Sequence, residues 1–425
     1  MKIAIIGAGS RCFGAGMIKD ILQADELKGY DLTLTLSDID NYALGQMTQL
    51  AERIKDRTGA DAQIKQTVDR KEALDGADYI ISAVEVARMP LWEQDFRVPL
   101  AYGFKHPLGE NGGPGALFHA LRSLNQVIPI CRDIEQICPD ALFLNFTNPE
   151  SRVLHGICHL TKVKAAGLCH GVFSAMYAIS RYLDKPLDEL HIVSAGMNHF
   201  YCIQSVVDKL TGKELLDTLL EKVVLDDTPG VAKLFKKMVE IFGMFTYPSD
   251  DHIGEYLSFG AEYTGVKWPY GQEDRAVVMS KPVEDVPVGQ MELTEDFMRP
   301  STELAVPIIC DIEFNRGCFR PAVNVINTEG FIPNLPAHAV VEVPATADSS
   351  GIHPLTVQPV IEPIAAFMRT QYSIHALVTE AFKTGSKKLL LQALLLDPVV
   401  NSISGAQGLL DDMLELQKDY LPVFE

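Results

Sequence analysis

The sequence predicts an α/β protein: a doubly wound parallel sheet, then a second, mixed α+β domain. Three observations carry this. Strand-like and helix-like segments alternate through the first half, the first strand runs straight into a glycine turn, and the alternation stops near residue 200. The expected division is residues 1–195 and 196–425.

Lys2–Ile6 is a buried strand by composition, and Gly14–Ala24 a helix after it. Leu32–Leu36, in alternating Leu and Thr, is the second strand, with a helix at Ala43–Thr58 behind it. Ala62–Thr67 and Tyr79–Ala83 read as further strands, Gly115–Ile137 as a long helix, and Ala141–Asn145 and Ala165–Leu168 as the last two parallel strands. Beyond residue 200, residues 209–245 are amphipathic and helical. Residues 265–300 read as a loop, 321–345 as short strands, and 357–418 as helices. Ligands of such a sheet sit at the carboxyl ends of its strands.

At 47% hydrophobic and 22% charged, the 425-residue chain is an ordinary globular one. No apolar run reaches the roughly 18 residues of a membrane span, so no membrane partner is expected. The chain starts directly with a strand, which leaves no room for a leader and predicts a cytoplasmic protein. A net charge of −19 excludes the basic face that nucleic-acid phosphates demand. The eight cysteines form no Cys-x-x-Cys pair, so most are expected to be buried thiols.

Gly7-Ala-Gly9-Ser10 and a late Gly14 lie between strand and helix, where a tight turn and a helix N-terminus suit a pyrophosphate. Asp38 ends the second strand and can accept bonds from ribose hydroxyls, which favours NAD over NADP. Together these predict a Rossmann-like, dinucleotide-binding half. Asn145-Phe-Thr-Asn148-Pro149 ends a later strand, beside the expected nicotinamide. Further on, Cys169-His170 and Asn198-His199 each end an extended segment. Thiolate plus imidazole, with open positions, suits a divalent Mn, Fe, Co or Ni ion. A four-ligand structural zinc site is not spelled out.

These motifs, with Gly113-Pro-Gly115, Asn324-Val-Ile-Asn327-Thr-Glu-Gly330 and Val340-Val-Glu-Val-Pro344, run along nearly the whole chain. The whole resembles glycoside hydrolase family 4, the NAD- and metal-dependent glycosidases. The resemblance implies that Cys169 and His199 hold the metal, Mn²⁺ foremost, and that Asn148 and Asn198 contact substrate. His170-Gly171 after the cysteine is similar to members acting on unphosphorylated α-glycosides, and puts His170 at the position of the leaving-group acid. The base is expected in Tyr247-Pro-Ser-Asp250-Asp251-His252, at Asp250 first, with Asp251 and Tyr247 as alternatives.

The chemistry implied is oxidation at C3 of the sugar, loss of the acidified C2 proton to a base, elimination, addition of water and return of the hydride. The substrate is a small α-galactoside, α-glucoside or α-uronide. A uronide would need a cation, with Arg88, Lys105, Arg316 and Arg320 as candidates. A homodimer or homotetramer is expected, partly because Leu389–Leu396 is so apolar. Two other readings are a sugar or 2-hydroxy-acid dehydrogenase, and a non-catalytic NAD-binding sensor.

Overall fold

The computed structural model describes residues 1–10, 13–268 and 287–425. Five of its strands coincide closely with the expected ones: β1 (Lys2–Ile6), β2 (Leu32–Ser37), β3 (Ala62–Thr67), β4 (Tyr79–Ser82) and β5 (Leu142–Asn145). β6 (Lys164–Gly167) follows, and the strand order runs β3-β2-β1-β4-β5-β6, all parallel. The chain reverses direction across the sheet between β1 and β4, and a crevice opens there at the carboxyl ends. Buried aliphatic side chains such as Ile3, Ile5, Leu34 and Leu36 hold the sheet to its covering helices. Asp40 caps the helix Asn41–Thr58 by accepting from the amides of Tyr42 and Ala43. Gly59 ends that helix at φ 66°.

The second half does not form a separate sheet. β7 (Leu190–Met197), β8 (Phe200–Asp208), β9 (Cys318–Ile326), β10 (Val340–Asp348) and β11 (Gly351–Pro354) extend the first one, in the order β6-β9-β10-β7-β8 with β11 on β10. The joint is narrow: β6 meets β9 through Gly167 and Asn324, and β10 meets β7 through Glu342 and Gly196. The boundary expected after residue 195 falls inside β7. The mixed α+β character of the second half is present, with the helices Leu216–Leu225, Lys233–Phe242, Glu362–Thr384, Lys387–Leu396 and Ile403–Leu416 around the added strands. Much of the loop expected over 265–300 lies outside the described residues. No described helix is long and apolar enough to cross a membrane.

Within the apolar stretch Leu389–Leu396, Leu390, Ala393 and Leu394 are buried in the chain's own core. Leu395 and Leu396 are left exposed. The narrow joint places the turn after β7, the end of β6 and the middle of β10 side by side.

Candidate active site

Cys169 and His199 are brought together by that joint. Cys169 follows β6, and His199 lies in the two-residue turn between β7 and β8. Its Sγ stands 3.3 Å from His199 Nε2. One ion with metal–sulfur and metal–nitrogen bonds of about 2.3 Å and 2.0–2.1 Å spans such a gap, so the pair fits a divalent cation. His199 takes φ 63°, a conformation uncommon for a residue with a side chain. Its Nδ1 is buried without a partner among the described residues. Burial pushes the Cys169 thiol up and the His199 imidazole down. Among the described residues no third His, Cys, Asp or Glu joins them. A bound ion would therefore keep open positions.

Gly171 lets this pair close. A Cβ there would lie 2.9 Å from the Tyr247 ring and 3.3 Å from His199 Cδ2. Tyr201 fixes the same loop by donating to the Gly171 carbonyl at 3.0 Å. Asn198 donates to Glu342 Oε2 at 2.9 Å, and Asn324 donates to the same oxygen at 3.3 Å. Glu150 lies wholly buried behind Cys169, where burial and the neighbouring Glu342 hold its carboxyl well above the usual range. Gly167 makes room for it. The sequence reading gave neither glutamate a role. The one signal was Glu342 as an acid within the apolar run Val340-Val-Glu342-Val.

His170 caps the helix Gly171–Leu183 with its side chain 63% exposed. Its Nδ1 lies 3.2 Å from Glu303 Oε1, and that carboxylate with Cys169 holds the imidazole up at about 9.

Asp250, the expected base, is engaged elsewhere. Its two oxygens accept from the amides of Lys233 at 2.7 Å and Phe235 at 2.9 Å, which caps the helix Lys233–Phe242. Asp251 lies near enough to His199 to favour its charge, as Glu110 and Glu342 do. Its Oδ1 accepts from the His252 amide and meets His252 Nδ1, both at 2.8 Å, and Ser249 also donates to it. His252 and Ser249 hold it down at about 2. The His252 ring stacks on Tyr247 at 4.6 Å and stands 5.1 Å from the His199 ring. Burial raises Tyr247 to about 12.

The nucleotide end is shaped for close approach. Gly7 has φ 85°, and a Cβ there would lie 2.5 Å from the Ala83 carbonyl oxygen. The Gly9 amide donates to Asp38 Oδ2 at 2.8 Å, and Ser10 Oγ accepts from Phe13. Ile39 and Val68 leave apolar surface exposed at the ends of β2 and β3 beside Asp38. This turn, acid and apolar rim fit an adenosine diphosphate. The Phe13 and Phe146 rings, 4.4 Å apart, join the glycine turn to the loop after β5. Within that loop Asn145 is fully buried, and among the described residues its side chain bonds to the Thr147 backbone. Asn148, before the cis Pro149, keeps its side chain unbonded among the described residues.

Three of the four candidate cations are paired. Arg88 lies between Glu85 and Glu110, with Glu110 Oε1 at 2.6 Å. Arg320 meets Asp311 at 2.5 Å and Arg316 meets Glu26 at 3.1 Å. Arg88 thus has its charge offset by two carboxylates. Lys105 is exposed.

Two family models match: "Family 4 glycosyl hydrolase" over residues 2–185 and "Family 4 glycosyl hydrolase C-terminal domain" over residues 194–400. The chain is 31% identical to an alpha-glucosidase of Erwinia rhapontici over 99% of its length and 98% of that protein's. It is 30% identical to an alpha-galactosidase of Bacillus subtilis (strain 168), covering all of both chains. Among solved structures, a 6-phospho-alpha-glucosidase from gut microorganisms, in complex with NAD and Mn²⁺, superposes with a TM-score of 0.83. It is 21% identical, with 100% of this chain and 99% of that one covered. With these two models together covering most of its length, the chain belongs to family 4 of the glycosyl hydrolases.

Proposed function

We propose that this enzyme hydrolyses unphosphorylated α-glycosides, with NAD and a divalent cation, Mn²⁺ foremost. The observation that carries this is the 3.3 Å approach of Cys169 Sγ to His199 Nε2 at the strand ends that also carry the glycine turn. The likeness to an alpha-glucosidase and an alpha-galactosidase supports the substrate class. The NAD and Mn²⁺ of a structure with this fold support the cofactors. A simple hydride-transferring dehydrogenase needs no Cys–His metal pair.

Gly7, Gly9, Ser10 and Asp38 would hold the dinucleotide, and Cys169 and His199 the cation. When bound, the two supply a reversible hydride acceptor and a positive charge beside the sugar's oxygens. The chain's own residues do the rest. Asn148 and Asn198 hold the sugar hydroxyls, Asn198 being oriented by Glu342. Asp251 takes the C2 proton through Oδ2, which no described residue occupies, and Tyr247 is the second candidate on the same wall. His170, steadied by Glu303, gives a proton to the departing oxygen. A reduced Cys169 and dependence on NAD fit a cytoplasmic setting. The exposed Leu395 and Leu396 fit the interface of a homodimer or homotetramer.

A panel of p-nitrophenyl α-glycosides with NAD⁺, Mn²⁺ and a reductant tests the proposal. Cleavage should need both additions and vanish on chelation. Net NADH accumulation without cleavage would instead identify a dehydrogenase.

A further inference from the structure

Arg152 stands out from every other arginine discussed above. It lies on the helix Glu150–Leu160 and is 2% exposed. Its Nε and Nη1 have no partner among the described residues, and Nη2 reaches only Gln371 Oε1, at 3.4 Å. Asp397 and Glu255 are near enough to favour its charge, but neither bonds to it. A buried guanidinium without a partner is costly, because water's solvation has been given up and nothing replaces it.

The side chain lines a small cleft with Asn111, Ser151, Asn198, Tyr256 and His375. Several polar atoms on these walls are buried and unpartnered among the described residues: Asn111 Nδ2, Ser151 Oγ and both ring nitrogens of His375. Asn111 Nδ2, Ser151 Oγ and one of the two His375 nitrogens can donate hydrogen bonds. The cleft also touches the reaction site, since Asn198 directly precedes His199.

We propose that this cleft receives the carboxylate of the substrate, which makes the favoured substrate an α-uronide. The inference rests on reading the neighbouring site as that of a glycosidase. One buried cation, bonded to neither nearby carboxyl and flanked by neutral donors in the cleft, matches a single negative charge. A phosphate carries about −1.5 to −2 at neutral pH and would ask for more. His375 adds no charge, because burial keeps its imidazole neutral. A charged hydrogen bond to guanidinium is among the strongest available to a ligand. A neutral hexoside would leave Arg152 unpaired.

The test begins with binding, which needs no turnover. The holoenzyme with NAD⁺ and Mn²⁺ is titrated with D-galacturonate and D-glucuronate, and with galactose, glucose and their 6-phosphates. At least one uronate should bind roughly 10–100-fold tighter than its neutral counterpart and its 6-phosphate, the range expected for a charged hydrogen bond. Arg152→Met should remove that preference, and Arg152→Lys should retain part of it. In turnover, kcat/KM for p-nitrophenyl α-uronides should exceed that for α-hexosides, and the ratio should collapse in Arg152→Met through KM. Equal binding of uronate and neutral sugar would show that the cleft holds only water, and would overturn the proposal. Preferred binding of a 6-phosphate would overturn it in favour of a phosphosugar. If no glycoside is cleaved, the glycosidase reading fails, while the titration still decides the cleft. The wild-type titration stands even where a variant fails to fold.

Discussion

Cys169 Sγ and His199 Nε2 meet at 3.3 Å although they are 30 residues apart and follow different strands, β6 and β7. These strands are not neighbours. β9 and β10 lie between them, so the C-terminal strands must be in place before the site exists. Unlike a nucleotide fold with a domain merely appended, this chain builds its reaction site from the seam.

Removing either member of the pair should cost metal affinity. Cys169→Ser and His199→Ala should each weaken Mn²⁺ binding by more than the 10–100-fold typical of losing an outer-shell partner. Calorimetric titration of the NAD-loaded protein measures this. Unchanged affinity in Cys169→Ser would show that the thiol is not a ligand.

Gly171→Ala should disturb the same site without removing any functional group. The new methyl would press on the Tyr247 ring at 2.9 Å and on His199 at 3.3 Å. Mn²⁺ affinity should fall by about 10–100-fold. A variant that binds metal as the wild type does would mean that the His199 ring has room to move.

Asp250 and Asp251 should separate cleanly. Asp250→Ala removes the cap of the helix Lys233–Phe242 and should lower stability by about 0.5–2 kcal/mol, with little change in turnover. Asp251→Asn should do the reverse. Thermal melts and kcat on a p-nitrophenyl α-glycoside distinguish them. Loss of turnover in a well-folded Asp250→Ala would return the base to Asp250.

The buried Glu255 should shape stability against pH. Burial, with Glu110 beside it, raises its carboxyl to about 8, while an unfolded chain restores about 4.3. Between these values the folded state holds the extra proton, so stability falls as pH rises from about 4 toward 8, then levels. Gln at this position keeps an oxygen for the amides of Glu110 and Asn111, now bonded at 2.6 Å and 3.1 Å. Denaturant midpoints of Glu255→Gln should be flatter across this window. A slope equal to the wild type's would show that Glu255 ionises at its ordinary pH.

The parallel half was legible because its signals are local. The apolar run of β1, the Leu-Thr alternation of β2 and the periodicity of Gly115–Ile137 each specify an element without help from elsewhere. The Cys169–His199 pair was legible as a motif, but its closeness is a product of β9 and β10. The helix Glu150–Leu160 went unread because it follows an Asn-Pro motif that reads as a loop. The capping bonds of Asp250 were not legible, because they come from a separate helix end, at Lys233 and Phe235. Arg152, Glu150 and Glu342 were hidden for a related reason: a charged residue ordinarily reads as surface.

The fate of the C2 proton distinguishes oxidation and elimination from direct displacement at the anomeric carbon, which never breaks C2–H. Cleavage of an α-glycoside by the NAD⁺- and Mn²⁺-loaded enzyme in D₂O, followed by proton NMR of the released sugar, reads it directly. Deuterium at C2 is the predicted result, suppressed together with cleavage in Asp251→Asn. A sugar released with its full C2 proton would contradict the proposed route.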